Sequence, residues 1–244
     1  RGLGDVYKRQ QLNDYFNHYS DDHKMANAIK EKYNIKEVHV VPGDSDEKQS
    51  VKREMGRQAG QLLESSLYED AIVSVTGGST MAYVSESIHL LPFNVFFVPA
   101  RGGLGENMVY QANTIASSMA QQAGGYYTTL YVPDNVSEST YNTLMLEPSV
   151  SHTLDKIKQA NVTIHGIGDA LKMAHRRQSH KDVIDKLQHH QAVGEAFGYY
   201  FDAQGHIVHK VKTIGLQLED LESKDFIYAV AGGQSKGELS LIHI

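Results

Sequence analysis

Four stretches of this 244-residue chain combine glycine with hydroxyl, guanidinium or amine side chains, each directly after a short apolar run. The first is Thr76–Gly77–Gly78–Ser79–Thr80. Gly77 and Gly78 let the backbone turn tightly and approach a ligand, while Ser79 and Thr80 add hydroxyl donors where a helix opens and N–H groups favour an anion. No Lys follows these glycines, so this is not a Walker loop, and the spacing is not that of the dinucleotide fingerprint. Its plain alternative is a glycine turn with a Ser or Thr cap. The second runs from Val98 to Glu106 and places Arg101, a planar fork suited to phosphate or carboxylate, beside Gly102, Gly103 and Gly105. Gln111 follows as a neutral partner for a hydroxyl. The third, Gly166–Ile167–Gly168–Asp169, is followed by Arg176 and Arg177, which can face a second anionic group or form a solvated basic helix end. The fourth, Ala231–Gly232–Gly233–Gln234–Ser235–Lys236, carries Lys236, a point-charge anion binder or an amine nucleophile. Together they describe a site for a small polyanion, most simply a sugar with one or two phosphates.

Convergence of these loops requires that the runs preceding them be neighbouring parallel strands. From residue 37 the chain alternates short β-branched apolar runs with stretches of helical period, the pattern of a parallel sheet with crossover helices. Strands are expected at Glu37–Val41, Ala71–Val75, Asn94–Pro99, Tyr126–Val132, Asn161–Ile167, Phe197–Phe201, His206–Thr213 and Phe226–Val230. Val51, Met55, Ala59, Leu62 and Leu63 define the clearest helix face. Further helices are expected at Lys24–Tyr33, Thr80–Leu91, Met108–Gln121, Ser151–Gln159 and Lys181–His189. Asp202–Gly205 reads as a hairpin turn. The fold class is therefore α/β, a Rossmann-like, mostly parallel sheet with flanking helices. In such sheets ligands bind outside the carboxyl ends of the strands, where the four stretches lie.

Composition removes other chemistries. The chain has no Cys, which excludes disulfides, thiol nucleophiles and Cys-based metal centres. Lys and Arg number 23 against 29 Asp and Glu, a formal charge of −6 with the signs interspersed, so the chain lacks the clustered basic surface that holds nucleic acid. No apolar stretch reaches the ~20 residues of a membrane helix, and the first residues carry no signal-peptide core. The expected location is the cytoplasm. Neither HExxH nor Gly-x-Ser-x-Gly occurs, and the 13 histidines show no zinc-ligand spacing. Gly43–Asp44–Ser45–Asp46 is only a fragment of a calcium loop and reads as a turn before a helix. No cofactor or metal is expected.

VVPGDSDE (Val40–Glu47), VTGGST (Val75–Thr80), VPARGGLGENMVYQANTIA (Val98–Ala116), GIGDA (Gly166–Ala170), the Arg176–Arg177 pair, GEAFGYYFD (Gly194–Asp202) and VAGGQSK (Val230–Lys236) together resemble the effector-binding domain of the SorC family of bacterial transcriptional repressors. The resemblance runs from about Ala26 to Lys236. It implies a fold similar to ribose-phosphate isomerases and glucosamine-phosphate deaminases, and a non-enzymatic sensor of a phosphorylated sugar, with fructose 1,6-bisphosphate first. Carried over by motif position, Gly77, Gly78, Ser79, Thr80, Arg101 and Lys236 would hold one phosphate. Gln111 and Glu195 would bond sugar hydroxyls, and Arg176 with Arg177 would face the other phosphate. The resemblance also implies a homo-oligomer whose DNA contact runs only through an N-terminal helix-turn-helix domain that this chain lacks, and no membrane partner. An enzyme on the same scaffold, a phosphosugar isomerase or deaminase using Lys236 with Asp169 or Glu195, is the competing class. The expected division is a poorly defined, partly non-native segment 1–25, an effector domain 26–238 and a non-native tail 239–244.

Overall fold

The structure, a computed structural model, describes residues 21–104 and 107–233. Gly105, Glu106, Lys236, the first 20 residues and the LSLIHI tail lie outside them. The elements are, in order, α1 (21–33), α2 (Gln49–Ser66), β1 (Ala71–Val75), α3 (Ser79–Glu86), β2 (Val95–Pro99), α4 (Ala112–Ala123), β3 (Tyr126–Tyr127), α5 (Glu138–Met145), α6 (Pro148–Gln159), β4 (Val162–Gly166), β5 (Gly168–Asp169), α7 (Ala170–Arg176), α8 (Lys181–His189), β6 (Gly194–Ala196), β7 (Tyr199–Phe201), β8 (Ile207–Lys210) and β9 (Phe226–Val230).

Five strands form a parallel sheet in the order β3-β2-β1-β4-β9. The chain runs outward from β1 on one side and returns on the other, so the strand order reverses between β1 and β4. That reversal leaves a crevice at the carboxyl ends of the strands.

Strand alternation sorts the side chains onto two faces. Ala71, Val73 and Val75 of β1, Val95 and Phe97 of β2, and Val162 and Ile164 of β4 pack with Leu63 of α2, Met81 and Val84 of α3 and Ile115 and Met119 of α4. Phe96 and Val98 point the other way, against Val150 and Ile157 of α6 and the aromatic residues Phe197, Tyr199 and Phe201. Helices α2 and α3 approach closely because α2 has Gly56 at the contact: a Cβ there would lie 2.5 Å from Tyr83 Cβ and 2.7 Å from its backbone carbon.

The second sheet is antiparallel, ordered β5-β6-β7-β8, and is packed against α7 and α8 through Tyr200, Ala174 and Leu187. The expected Asp202–Gly205 turn joins β7 to β8, with Asp202 Oδ1 accepting from Gln204 N and His206 N, both at 2.9 Å. Phe197 and Gly198 make the tighter turn between β6 and β7, both with positive φ, +53° and +86°.

Several expected boundaries move. Residues 37–41 form no strand among the described residues; there Glu37 pairs with His39 at 2.7 Å. The run from Tyr126 leaves the sheet after Tyr127, because the Asn113 amide takes the hydrogen bonds of Leu130: Leu130 N donates to Asn113 Oδ1 at 2.8 Å and Asn113 Nδ2 donates to Leu130 O at 3.1 Å. The helix expected to reach Leu91 stops at Glu86, with Ser87 N turned back onto Val84 O. Helices α5 and α7 are not among the expected elements: their apolar sets, Tyr141, Leu144 and Met145 in one and Ala170, Met173 and Ala174 in the other, each fill little more than a single turn.

Candidate functional site

Three of the four glycine-rich junctions meet at the crevice; of the fourth only the strand end, Val230, reaches it, whereas a Cβ on Gly232 would meet Met55 and Ser45 and one on Gly233 would meet Asp46. Thr76, Gly77 and Gly78 after β1, Arg101, Gly102 and Gly103 after β2, Gly166, Ile167 and Gly168 after β4, and Val230 at the end of β9 line one cleft. The β1 and β4 loops are tied together, since Gly166 N donates to Thr76 Oγ1 at 3.1 Å and Thr76 N donates to Ile164 O at 3.2 Å.

The β1 loop is held open by backbone. Gly78 N donates to Tyr110 O at 2.8 Å, and a Cβ on Gly77 would lie 2.6 Å from that same oxygen. Gly78 has φ 128° and ψ 157°, a region that only glycine enters without strain, and the position its Cβ would occupy is open space. As N-cap of α3 it offers no side chain, so the first N–H groups of that helix, carried by Ser79 and Thr80, are not capped by it. Helix α4 begins at the same cleft behind Gln111, which also gives its helix no side-chain cap. Two positive helix ends therefore address one space, a setting that favours anions.

The arginines separate into two roles. Arg176, the last residue of α7, lines the cleft. Arg177 does not: its guanidinium donates to Asp134 Oδ2 (3.1 Å), Tyr200 Oη (2.9 Å) and Glu195 Oε1 (2.8 Å). Arg101 reaches the cleft wall, yet its fork is engaged with Asp134 at 2.6 and 2.8 Å and with Glu195 at 3.2 Å. The side chains of Arg101, Arg177, Asp134 and Glu195 are 8, 1, 1 and 4% exposed, so these four charges form a buried, mutually neutralised group. Burial raises the Glu195 carboxyl, but the Arg177 and Arg101 guanidiniums and the Gly198 N–H outweigh it and hold the group below the usual carboxylate range.

Glu195 sits inside β6, paired with Tyr200 across the hairpin, rather than on a polar flank. Its Oε1 accepts from Arg101, Arg177 and Gly198 N, the last at 2.6 Å. The cleft is completed by Asn107, Tyr110, Met81, Met173 and Phe197. Below Phe197 lies His165, fully buried, its ring 4.8 Å from the Phe197 ring and its Nε2 without a hydrogen-bond partner. Burial pulls its pKa down to about 4. Of the residues singled out from sequence, Gly77, Gly78, Ser79, Thr80, Arg101, Gln111, Arg176 and Glu195 share the cleft, Arg177 stands behind it and Lys236 falls outside the described residues. Asp134 was not singled out: in Val132–Pro133–Asp134–Asn135 it reads as a turn, and only the pairing of Asp134 N with Gly103 O at 2.8 Å brings it to Arg101.

The family described as "Putative sugar-binding domain" matches residues 17–239. The chain belongs to that family. This sugar-binding domain is 46% identical over 217 residues to the central glycolytic genes regulator of Priestia megaterium and 45% identical over 216 residues to that of Bacillus subtilis. Each match covers 88% of this chain and 64% of the regulator, so the domain spans less than two thirds of the length of those relatives. A solved structure described as a SorC family transcriptional regulator from Enterococcus faecalis superposes with a TM-score of 0.83, at 39% identity over 90% of each chain. The full-length sorbitol operon regulator SorC of Klebsiella pneumoniae shares the fold, with a TM-score of 0.80 at 19% identity over 90% of this chain and 74% of that one. These relatives are transcriptional regulators, not enzymes, and they bear out the SorC resemblance carried by the motifs. Among the described residues no helix is long and apolar enough to cross a membrane.

Proposed function

We propose that this domain is the effector sensor of a bacterial transcriptional repressor of sugar metabolism and that its effector is a phosphorylated sugar, with fructose 1,6-bisphosphate the best fit. The observation that carries this reading is the meeting of two helix N-termini without side-chain caps, α3 and α4, at a cleft that Arg176 also lines. In this reading Gly77, Gly78, Ser79 and Thr80 cradle one phosphate and Lys236 completes that cradle. Arg176 faces the other. Gln111 and Glu195 bond the hydroxyls between them, and Arg101 and Arg177 act through Glu195. Effector binding changes how copies of the repressor assemble, and DNA is met through a helix-turn-helix domain of the longer protein, in the cytoplasm.

Ligand that binds only the folded state stabilises it by about 2.7 kcal/mol at a hundredfold excess over Kd. In a thermal-shift series fructose 1,6-bisphosphate should raise Tm most, ahead of fructose 6-phosphate, fructose and inorganic phosphate. Equal shifts from phosphate alone would overturn the sugar-phosphate reading.

A further inference from the structure

Asp134 is a buried charge that the effector reading leaves unused. Its carboxylate accepts from Arg101 Nε and Nη2 and from Arg177 Nε, while its backbone N–H and C=O are fixed by Gly103 O and Ile214 N. Among the described residues every hydrogen bond to the Glu195 carboxylate falls on Oε1, and its Oε2 accepts none although Glu195 lines the cleft. Two guanidiniums against two carboxylates leave no net charge, so neither arginine needs the second oxygen of Glu195. With one carboxylate removed, the two arginines would share a single counter-charge. The remaining carboxylate would then be drawn into them, and that end of the cleft would attract anions.

We propose that Asp134 is a specificity-determining residue: by neutralising one arginine it leaves Glu195 Oε2 turned to the cleft as a bare acceptor, so this end takes a ligand hydroxyl and refuses a phosphate. The proposal rests on the effector reading above. It assigns the ligand class more narrowly, as a molecule with a hydroxyl donor between or beside its anionic groups.

The test compares two bisphosphates by calorimetry on the whole chain: fructose 1,6-bisphosphate, and hexane-1,6-diol bisphosphate, which has the phosphates without hydroxyls. A hydrogen bond to a charged acceptor should give the wild type a preference for the sugar of about tenfold or more. Asp134→Asn should shrink that ratio toward unity. Arg101→Gln, which leaves the group one negative charge in excess, should widen it. A merely structural role for Asp134 would weaken both ligands together and leave the ratio in place. An unchanged ratio in either variant, or a shift of both in the same direction, would overturn the proposal. Because the two variants move the ratio oppositely, one that folds is sufficient if the other does not. A wild type that binds both bisphosphates equally overturns the role of Asp134 alone; one that binds neither overturns the effector reading and this proposal with it.

Discussion

Replacing Gly78 by Asp should abolish effector binding, and the structure separates the two reasons why. At φ 128° and ψ 157° any side chain at this position is strained by roughly 1–3 kcal/mol, whether or not ligand is present. For a domain of this size each kcal/mol lowers Tm by about 2–4 °C. Gly78→Ala carries the same strain, and its methyl group enters open space, so it serves as the matched control. The aspartate adds one negative charge where the α3 N-terminus would hold a phosphate. At a separation of about 4 Å and an effective dielectric constant of about 20, two unit charges repel by ~4 kcal/mol, close to a thousandfold in Kd. The expected result is that both variants melt together, below the wild type, while calorimetry with fructose 1,6-bisphosphate finds Gly78→Asp weaker than Gly78→Ala by about three orders of magnitude. Arg57→Ala alters charge by the same amount on a solvent-facing helix surface, where Arg57 holds Glu54, and salt screening should leave the effector affinity nearly unchanged. Equal affinities for the Ala and Asp variants would refute the placement of a phosphate on this helix end.

Three further outcomes are expected. The unfolded chain protonates His165 near pH 6.5 whereas the buried ring resists protonation down to about pH 4, so stability should fall as pH drops through that window, by on the order of 3 kcal/mol; urea melts of His165→Leu should show a flatter profile, and parallel profiles would remove His165 as the cause. Gly56→Ala, usually a gain inside a helix, should instead destabilise, because the added Cβ meets Tyr83 Cβ at 2.5 Å; a raised denaturation midpoint would show that α2 and α3 can part without cost. Incubation with ribose 5-phosphate, glucosamine 6-phosphate or triose phosphates should yield no product above the protein-free blank, and a rate lost in Lys236→Ala would move the domain to the enzymes.

The parallel sheet was legible because its three central strands are enclosed on both faces and read as short apolar runs, and the half-buried edge strand Phe226–Val230 is still apolar throughout. Ala71–Val75 and Phe226–Val230 are bounded as the sequence suggests, and Lys181–His189 is bounded by its amphipathic period. The antiparallel sheet was less legible: Gly194–Ala196 is three residues long and contains a charge, which looks like a loop until Arg101 and Arg177 are seen to neutralise it. Residues 37–41 alternate like a strand, but alternation specifies a surface and not a partner. At the site, glycines after strands were readable because the backbone demand is local. The division of labour between Arg176 and Arg177 was not, since adjacent helix-end residues point about 100° apart and only packing decides which one is enclosed. Asp134 depends on a backbone pairing with Gly103, and nothing in the order of residues reports that pairing.

The buried charge group of Arg101, Asp134, Arg177 and Glu195 also limits how this sequence can drift. Loss of one member leaves an uncompensated buried charge, commonly 3–5 kcal/mol, whereas exchange of an oppositely charged pair for apolar or neutral residues of similar volume is often tolerated. These positions are thus constrained as a sum rather than one by one. A descendant that abandons Asp134 should abandon an arginine with it, and a change of preferred ligand at this end of the cleft should be recorded in two positions at once.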